Sequence, residues 1–247
     1  MGDSKNPEIW KAVAMADHFE KIQKLPEKID GVPNFRRVPG YKVYCCGQPT
    51  VSGFEKVIEK VCGDKYPKDG PIIWINMRQE PIIYINGDPI CARPPNKIGE
   101  YAELGNVTRA SVKADEEEVK MHKKQKTFVM LYHISLQFCK VLEGRAKENN
   151  KIKIVDVGRN EKEIEIKEIK TLHSVMEVLK EKYPGLTHNR VPVCNSAAPL
   201  EADFDTISNC LLETNVNCPV IVNCQVLFSV SLVVMHIFYS LKFSRLV

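Results

Sequence analysis

A cysteine that follows a short apolar run is the first residue in this chain that could do chemistry. Val220, Ile221 and Val222 are apolar, Asn223 follows, and Cys224 ends the run. Such a run predicts a buried strand that carries a thiol to its carboxyl end, which is the edge where an open α/β sheet binds ligands. In its thiolate form a cysteine at this edge is a nucleophile.

The six residues after Cys224 decide what this thiol can do. A phosphate-binding loop needs glycines, whose backbone N–H groups converge on the anion, and an arginine, whose guanidinium holds two of its oxygens. Positions 225–229 are Gln, Val, Leu, Phe and Ser, and position 230 is Val. Bulky and β-branched residues resist the tight turns of such a loop. The sequence therefore predicts a nucleophile position without a phosphate-binding loop.

Composition describes an ordinary globular chain. The 247 residues are 44% hydrophobic and 27% charged, which is typical of a soluble domain with a sizeable core. The net charge of +4 favours anionic ligands slightly. Lysine and glutamate alternate along the chain, so we expect no nucleic-acid partner.

Cysteine usage indicates a reducing compartment. The nine cysteines are an odd number at scattered spacings, and no secretory signal precedes them. We therefore expect reduced thiols in a cytoplasmic protein. The adjacent Cys45 and Cys46 do not form a CxxC pair, and no cysteine and histidine set has zinc-finger spacing. We expect neither a metal site nor a cofactor.

Hydrophobic patterning predicts strands and helices in alternation, which is typical of an α/β fold with a parallel sheet. The predicted strands are 41–45, 71–78, 127–134, 151–157, 163–169, 186–193 and 220–224, with a hairpin over 81–89 that turns at Asn86 and Gly87. The predicted helices are 54–62, 96–126, 136–146, 171–183 and 202–212. Thr50 or Ser52 is expected to cap the first of them. The strand 71–78 should bring its polar end to the same sheet edge as Cys224.

The chain is expected to fall into three regions. Residues 1–31 are predicted to form a helical lead, because apolar residues recur there at roughly helical spacing before Pro26. Residues 32–225 are predicted to form the main α/β domain. Residues 226–247 are far more apolar than anything before them.

Several motifs in order resemble the paladin family. They are Asn34-Phe35-Arg36-Arg37-Val38-Pro39-Gly40, Gly47-Gln48-Pro49-Thr50, Trp74-Ile75-Asn76-Met77-Arg78-Gln79-Glu80-Pro81, Tyr84-Ile85-Asn86-Gly87, Arg190-Val191-Pro192, the run 198–205 and Asn223-Cys224-Gln225. The resemblance runs from about Pro33 to Gln225 and is weakest over 96–160. Members of that family repeat a cysteine-dependent phosphatase domain related to dual-specificity phosphatases and phosphatase-like phytases.

The resemblance implies a protein tyrosine phosphatase-like parallel sheet flanked by helices, incomplete at its carboxyl end. It places Cys224 at the nucleophile position, Val230 at the position of the phosphate-binding arginine and Asn195 at the position of the general acid. Family members continue after the cysteine with a glycine-rich Cys-x5-Arg loop, and an asparagine cannot donate a proton as an aspartic acid does. Arg78 and Arg190 are candidate substrate-binding residues.

Two functional classes follow from these residues. The first is a phosphatase that acts on phosphotyrosine, phosphoinositide or inositol phosphate through a cysteinyl-phosphate, of which this chain is an inactive copy. The second is a pseudophosphatase or scaffold that binds anionic ligands or partner proteins. Both follow from a resemblance that ends where the phosphate-binding loop should begin.

The apolar tail has three interpretations. It could be translated intron, because every valine codon begins with the splice-donor dinucleotide and the resemblance ends at Val226. It could be a membrane anchor, because 219–241 has about the length of a membrane-spanning helix and Lys242 and Arg245 flank it. It could also be a helix that packs behind the sheet and is buried on all sides.

Overall fold

The computed structural model describes residues 12–17, 27–63, 67, 69–78, 80–93, 135–146, 149–156, 159–193, 201–212 and 218–224. They form an α/β fold with two separate sheets. The chain divides into two compact units, one made of residues 1–17 and 80–174 and the other of residues 18–79 and 175–247. The α/β class predicted from the sequence is confirmed.

The five-stranded sheet contains β2 (Arg36–Arg37), β3 (Val43–Cys46), β4 (Ile72–Arg78), β10 (Leu186–Val193) and β11 (Val220–Asn223). Its strand order is β10-β4-β11-β3-β2. The first four strands in that order are parallel, and β2 pairs with β3 in the antiparallel sense. All residues of β3, β4 and β11 are buried, as expected for central strands covered on both faces.

Helices cover both faces of this sheet. Helix α1 (Val51–Cys62) lies on one face, where the Phe54 ring packs on the indole of Trp74 with centroids 4.8 Å apart. Helix α4 (Glu201–Leu212) covers the other face, where Ile207 and Leu211 pack in one apolar cluster with alternate residues of β3, β4 and β11. The sequence predicted both helices, and Thr50 caps α1 by accepting a hydrogen bond from the Gly53 N–H at 3.0 Å.

The six-stranded sheet belongs to the other unit. It contains β1 (Val13–Ala16), β5 (Ile82–Ile85), β6 (Asp88–Arg93), β7 (Lys151–Val155), β8 (Glu161–Glu165) and β9 (Ile169–Thr171). The order is β8-β7-β1-β6-β5-β9, and every described pairing except β1 with β7 is antiparallel. Helix α2, residues 135–145, packs against it through Phe138 and Leu142. The remaining helix, α3 (Leu172–Lys182), follows β9 directly.

Two sequence predictions need correction. The helix predicted over the amino-terminal region is wrong for Val13–Ala16, which form strand β1 between β6 and β7. A run of four residues fits the hydrophobic spacing of a helix and of a strand equally well. Its partners lie more than seventy residues away in the sequence, so strand pairing rather than local spacing decides its structure. The predicted parallel sheet is present in β10, β4, β11 and β3, but six of the eleven described strands form a second, largely antiparallel sheet that the sequence did not predict.

The predicted hairpin is confirmed. Strands β5 and β6 pair in register around Asn86 and Gly87, whose φ angles are +53° and +90°. Positive φ at both central residues is the geometry of a type I′ turn. Predicted elements over 96–134 lie outside the described residues, and the domain boundaries expected at residues 31 and 225 stay predictions.

No helix among the described residues is long and apolar enough to cross a membrane. The candidate anchor 219–241 begins inside β11, and its remainder after Cys224 lies outside the described residues. The three interpretations of the apolar tail stay open. Every cysteine in the described part of the chain is a free thiol.

Candidate active site

The carboxyl edge of the five-stranded sheet brings together three of the residues that the sequence singled out, namely Cys224, Arg78 and Arg190. Strand β11 lies between β3 and β4, with Asn223 level with Cys46 on one side and Asn76 on the other. Cys224 follows immediately, and its backbone N–H donates to the carbonyl of Cys46 at 3.3 Å. The expectation that β4 and β11 end at the same edge is confirmed.

Alternation along β11 sends its side chains to opposite faces. Val220, Val222 and Cys224 pack with Cys45 in the apolar cluster under α4. Asn223 points to the other face, where its carboxamide meets the indole of Trp74. The thiol and the side chain before it therefore lie in different layers.

The Cys224 thiol is held in its protonated form. Only 2% of the residue is exposed. Burial raises the pKa of this thiol to about 12, the neighbouring Cys45 adds to the rise, and the guanidiniums of Arg36 and Arg78 oppose it. At neutral pH the thiolate that nucleophilic attack requires is scarce.

Two further thiols, those of Cys45 and Cys46, interact electrostatically with Cys224. Burial raises the pKa of Cys45 to about 11, against the opposing charge and hydrogen bond of Arg36. Burial also raises the pKa of Cys46 well above its ordinary value, and the thiols of Cys45 and Cys224 add to the rise. Arg36 thus acts electrostatically on all three thiols. It lies on β2, level with Cys45.

The two arginines predicted to bind substrate are neighbours. Arg78 ends β4 and is 1% exposed. Arg190 lies on β10, level with Asn76, and its Nε donates to the carbonyl of Arg78 at 3.3 Å. Their role in binding stays a prediction. Arg36 is a third arginine near the thiols, and its position beside them is visible only in the fold.

A buried polar network on the α1 face was missed by the sequence analysis. The indole N–H of Trp74 donates to Asn223 Oδ1 at 2.7 Å, and Asn223 Nδ2 donates to Gln48 Oε1 at 2.8 Å. Gln48 Oε1 also accepts from Asn76 Nδ2 at 3.4 Å, and Asn76 Oδ1 accepts from the N–H of Arg78 at 2.9 Å. Its signal in the sequence is one amide in each of two apolar runs, Asn76 and Asn223, and a third, Gln48, two residues after the run Val43–Cys46.

Two of the predicted site residues cannot be placed. Asn195 at the general-acid position and Val230 at the arginine position both lie outside the described residues. The amino-acid types there are nevertheless fixed by the sequence, and neither supplies the acid or the guanidinium.

The six-stranded sheet holds one group of side chains with metal-ligand chemistry. The ligand atoms of Asp17, Glu80 and Cys91 lie within 4.8 Å of one another. The Cys91 thiol donates to Asp17 at 2.8 Å, and Glu80 forms a buried ion pair with Arg93 at 2.7 Å. Because a guanidinium already neutralises Glu80, this arrangement fits an ion pair better than a cation site.

Comparison with known proteins decides the family. Residues 75–226, more than half of the chain, match the family model of the PTP-like phytases. The description of that family names inositol hexakisphosphate. The chain belongs to this family. The match begins within β4, includes Arg78, Arg190 and Cys224, and ends one residue after Gln225. Membership supports a phosphatase-like fold.

The curated relatives are paladins. The chain is 24% identical to paladin of Xenopus tropicalis over 197 residues, which are 80% of this chain and 20% of that protein. It is 25% identical to human paladin over 207 residues, 78% of this chain and 22% of that protein. The chain thus spans about a fifth of the length of these relatives.

Two solved structures are similar to this chain at a lower level of identity. A PTP-like phytase from Bdellovibrio bacteriovorus is 15% identical to this chain, with a TM-score of 0.47. The match covers 87% of this chain and 62% of the phytase chain. A PTP-like myo-inositol phosphatase from Mitsuokella multacida, solved in complex with myo-inositol-(1,3,4,5)-tetrakisphosphate, is 14% identical to this chain, with a TM-score of 0.49. The match covers 86% of this chain and 33% of the phosphatase chain.

Proposed function

We propose that this chain binds a phosphorylated anion, such as an inositol phosphate, at the carboxyl edge of the five-stranded sheet and does not hydrolyse it. The observation that carries the proposal is the burial of Cys224, which is 2% exposed, within electrostatic reach of the guanidiniums of Arg36 and Arg78. Burial raises the pKa of this thiol to about 12. The positive charge of Arg36 and Arg78 suits an anion. A protonated thiol does not suit attack on phosphorus.

Each chemical step of hydrolysis lacks a group in this chain. Attack would form a bond from the Cys224 sulfur to phosphorus and break the ester P–O bond, and an acid would have to protonate the leaving oxygen. Asn195 stands at the position of that acid and has no such proton to give. Val230 stands where a guanidinium would hold the equatorial oxygens, and losing one such donor costs about 3 kcal/mol of transition-state stabilisation.

Binding of an anion needs positive charge but neither a general acid nor a thiolate, and two guanidiniums supply that charge. Arg78 is almost fully buried and Arg36 is half-buried, so their charges are only partly screened by water. Guanidiniums also bind phosphate oxygens in a bidentate fashion that lysine does not reproduce. An inositol phosphate fits this chemistry, and the family model is described by inositol hexakisphosphate.

Adjacent arginines provide a matched test of binding. Arg36 acts on the thiols, whereas Arg37 is exposed and its Nε donates to the carbonyl of Tyr41. In calorimetric titrations with inositol hexakisphosphate, R36Q should weaken binding by about tenfold, as expected for one lost charge-assisted pair, and R37Q by about twofold or less. Equal losses in both variants, or no binding by the wild-type chain, would show that this edge is not the site.

Release of inorganic phosphate tests the lack of turnover. The wild-type chain should release none above the buffer rate from an aryl phosphate or from inositol hexakisphosphate. A variant that carries N195D and in which residues 226–230 are replaced, so that Cys224 begins a glycine-rich Cys-x5-Arg loop, should gain phosphatase activity. Hydrolysis by the wild-type chain that C224S abolishes would overturn the proposal of a silent site.

A further inference from the structure

The network of Trp74, Gln48, Asn223 and Asn76 lies at the same level of the sheet as the Cys224 thiol. All four side chains have 0% exposure. Three of them are amides, which lose hydration on burial and remain stable there only while their hydrogen bonds are made. Four fully buried polar side chains joined by hydrogen bonds therefore require an explanation.

Gln48 is the centre of the network. Its Oε1 accepts one hydrogen bond from Asn223 on β11 and another from Asn76 on β4. Gln48 itself lies two residues beyond the end of β3. One carbonyl oxygen thus joins the carboxyl ends of the three central strands.

The apolar side chains of these strands do not determine their alignment on their own. Strands β3, β4 and β11 are buried throughout and are mostly apolar, so sliding one strand by two residues would keep apolar side chains on both faces. The same slide would separate Asn223 from Gln48 and leave buried amides without partners. Buried polar contacts of this kind fix register in other folds.

We propose that Gln48 is a positioning residue that sets where β11 ends and therefore where the Cys224 thiol lies. Its carboxamide holds Asn223, the residue before the nucleophile position, while Trp74 holds the same side chain from the other side. Asn76 extends the network to the N–H of Arg78. Cys224 and the backbone of Arg78 are thus placed by one set of hydrogen bonds. The inference rests on the proposed function only in taking Cys224 as the centre of the site.

Differential labelling of the two thiols that flank β11 tests this role. Cys224 follows the carboxyl end of the strand beside the network, and Cys218 precedes its amino end, where its thiol donates to the carbonyl of Pro71. Both thiols are buried. The ratio of their alkylation rates, read by peptide mass spectrometry on the full chain, reports a displacement at one end of the strand. A general loss of stability exposes both.

The decisive variants differ in whether position 48 keeps an oxygen acceptor. Q48L removes it, whereas Q48E keeps an oxygen that can accept from both amides. The Cys224 to Cys218 ratio should rise about tenfold in Q48L, the effect of losing one or two buried hydrogen bonds at that end, and should stay within about twofold of wild type in Q48E.

A matched control separates position from stability. Val57 on α1 is fully buried and takes no part in the network, so V57A should lower stability without changing the ratio. A Q48L ratio equal to that of V57A, at similar urea midpoints, would overturn the positioning role. If Q48L does not fold, W74F removes the donor to Asn223 together with part of the indole ring, and a ratio no higher than that of V57A would overturn the positioning role equally.

Ligand binding is measured separately on the same proteins. A wild-type chain that does not bind inositol hexakisphosphate would end the proposed function, while a selective rise at Cys224 in Q48L would still support the positioning role. A chain that binds the ligand but shows no selective rise keeps the proposed function and loses the role of Gln48.

Discussion

The chemistry of the site depends on the environment of a single sulfur. In an open loop beside converging N–H groups, a cysteine has a lowered pKa and reacts as a thiolate. Cys224 instead lies among apolar side chains and two other thiols, and its pKa rises from the ordinary 9.0 to about 12. Arg36 and Arg78 reduce this rise without cancelling it.

The reactivity of Cys224 should therefore be low and strongly dependent on pH. At pH 8 its thiolate fraction should be on the order of a thousandfold below that of an ordinary cysteine with pKa 9.0. Its alkylation rate in the folded chain should still rise about tenfold per unit above pH 9, where an unfolded cysteine levels off. Peptide-resolved labelling across pH 7–10 measures this, and a profile that levels off at or below pH 9 would contradict it.

Helix α1 shows how a short element is fixed at its first turn. Thr50 caps the helix, its own N–H donates to the carbonyl of Gly31 at 2.9 Å, and Gly53 in the first turn lies against the same carbonyl. A Cβ on Gly53 would overlap that oxygen. The close approach explains a glycine where helix propensity disfavours one.

Two glycine substitutions should therefore have opposite signs. G53A should destabilise the chain by about 1–3 kcal/mol, because the added methyl group meets backbone that cannot move without breaking the cap. G144A is the matched control, since it lies in helix α2 with nothing within 4 Å of its added Cβ, and it should stabilise by roughly 0.5 kcal/mol. Urea unfolding compares them, and destabilisation of similar size in both would show that the contact with Gly31 is not the cause.

Buried thiols in both units tie the stability of the whole molecule to pH. Burial raises the pKa of Cys45 and Cys218 to about 11 and that of Cys139 and Cys224 to about 12. The folded chain keeps these protons above pH 9, where the unfolded chain releases them. The stabilisation is therefore complete below pH 9 and is lost as the pH rises toward 11–12.

The free energy of unfolding should fall as the pH rises above 9, and removing thiols should flatten that fall. Each buried thiol contributes up to about 1.4 kcal/mol per pH unit in this range. In urea unfolding at pH 8, 9 and 10, the double variant C45A/C224A should show a shallower slope than wild type. C62A, which removes a half-buried thiol, should change the slope less. Equal slopes in all three proteins would contradict the assignment of the effect to buried thiols.

The sequence by itself determined the α/β class, the strand that ends at Cys224, the hairpin at Asn86 and Gly87 and the family. These features are local, since they depend on apolar runs, turn residues and motifs that a linear reading contains. It also determined that positions 195 and 230 supply neither an acid nor a guanidinium.

Only the tertiary structure decided which segments pair and what surrounds the thiol. Strand β1 is a strand because β6 and β7 flank it, although its own residues fit a helix. Gln48, Trp74 and Asn223 are far apart in sequence, and the parallel packing of three strands brings their hydrogen-bonding atoms together. The pKa of Cys224 follows from the same packing, because desolvation depends on neighbours from every layer of the fold. The sequence predicted a nucleophile position at the edge of the sheet, and the fold buries that thiol.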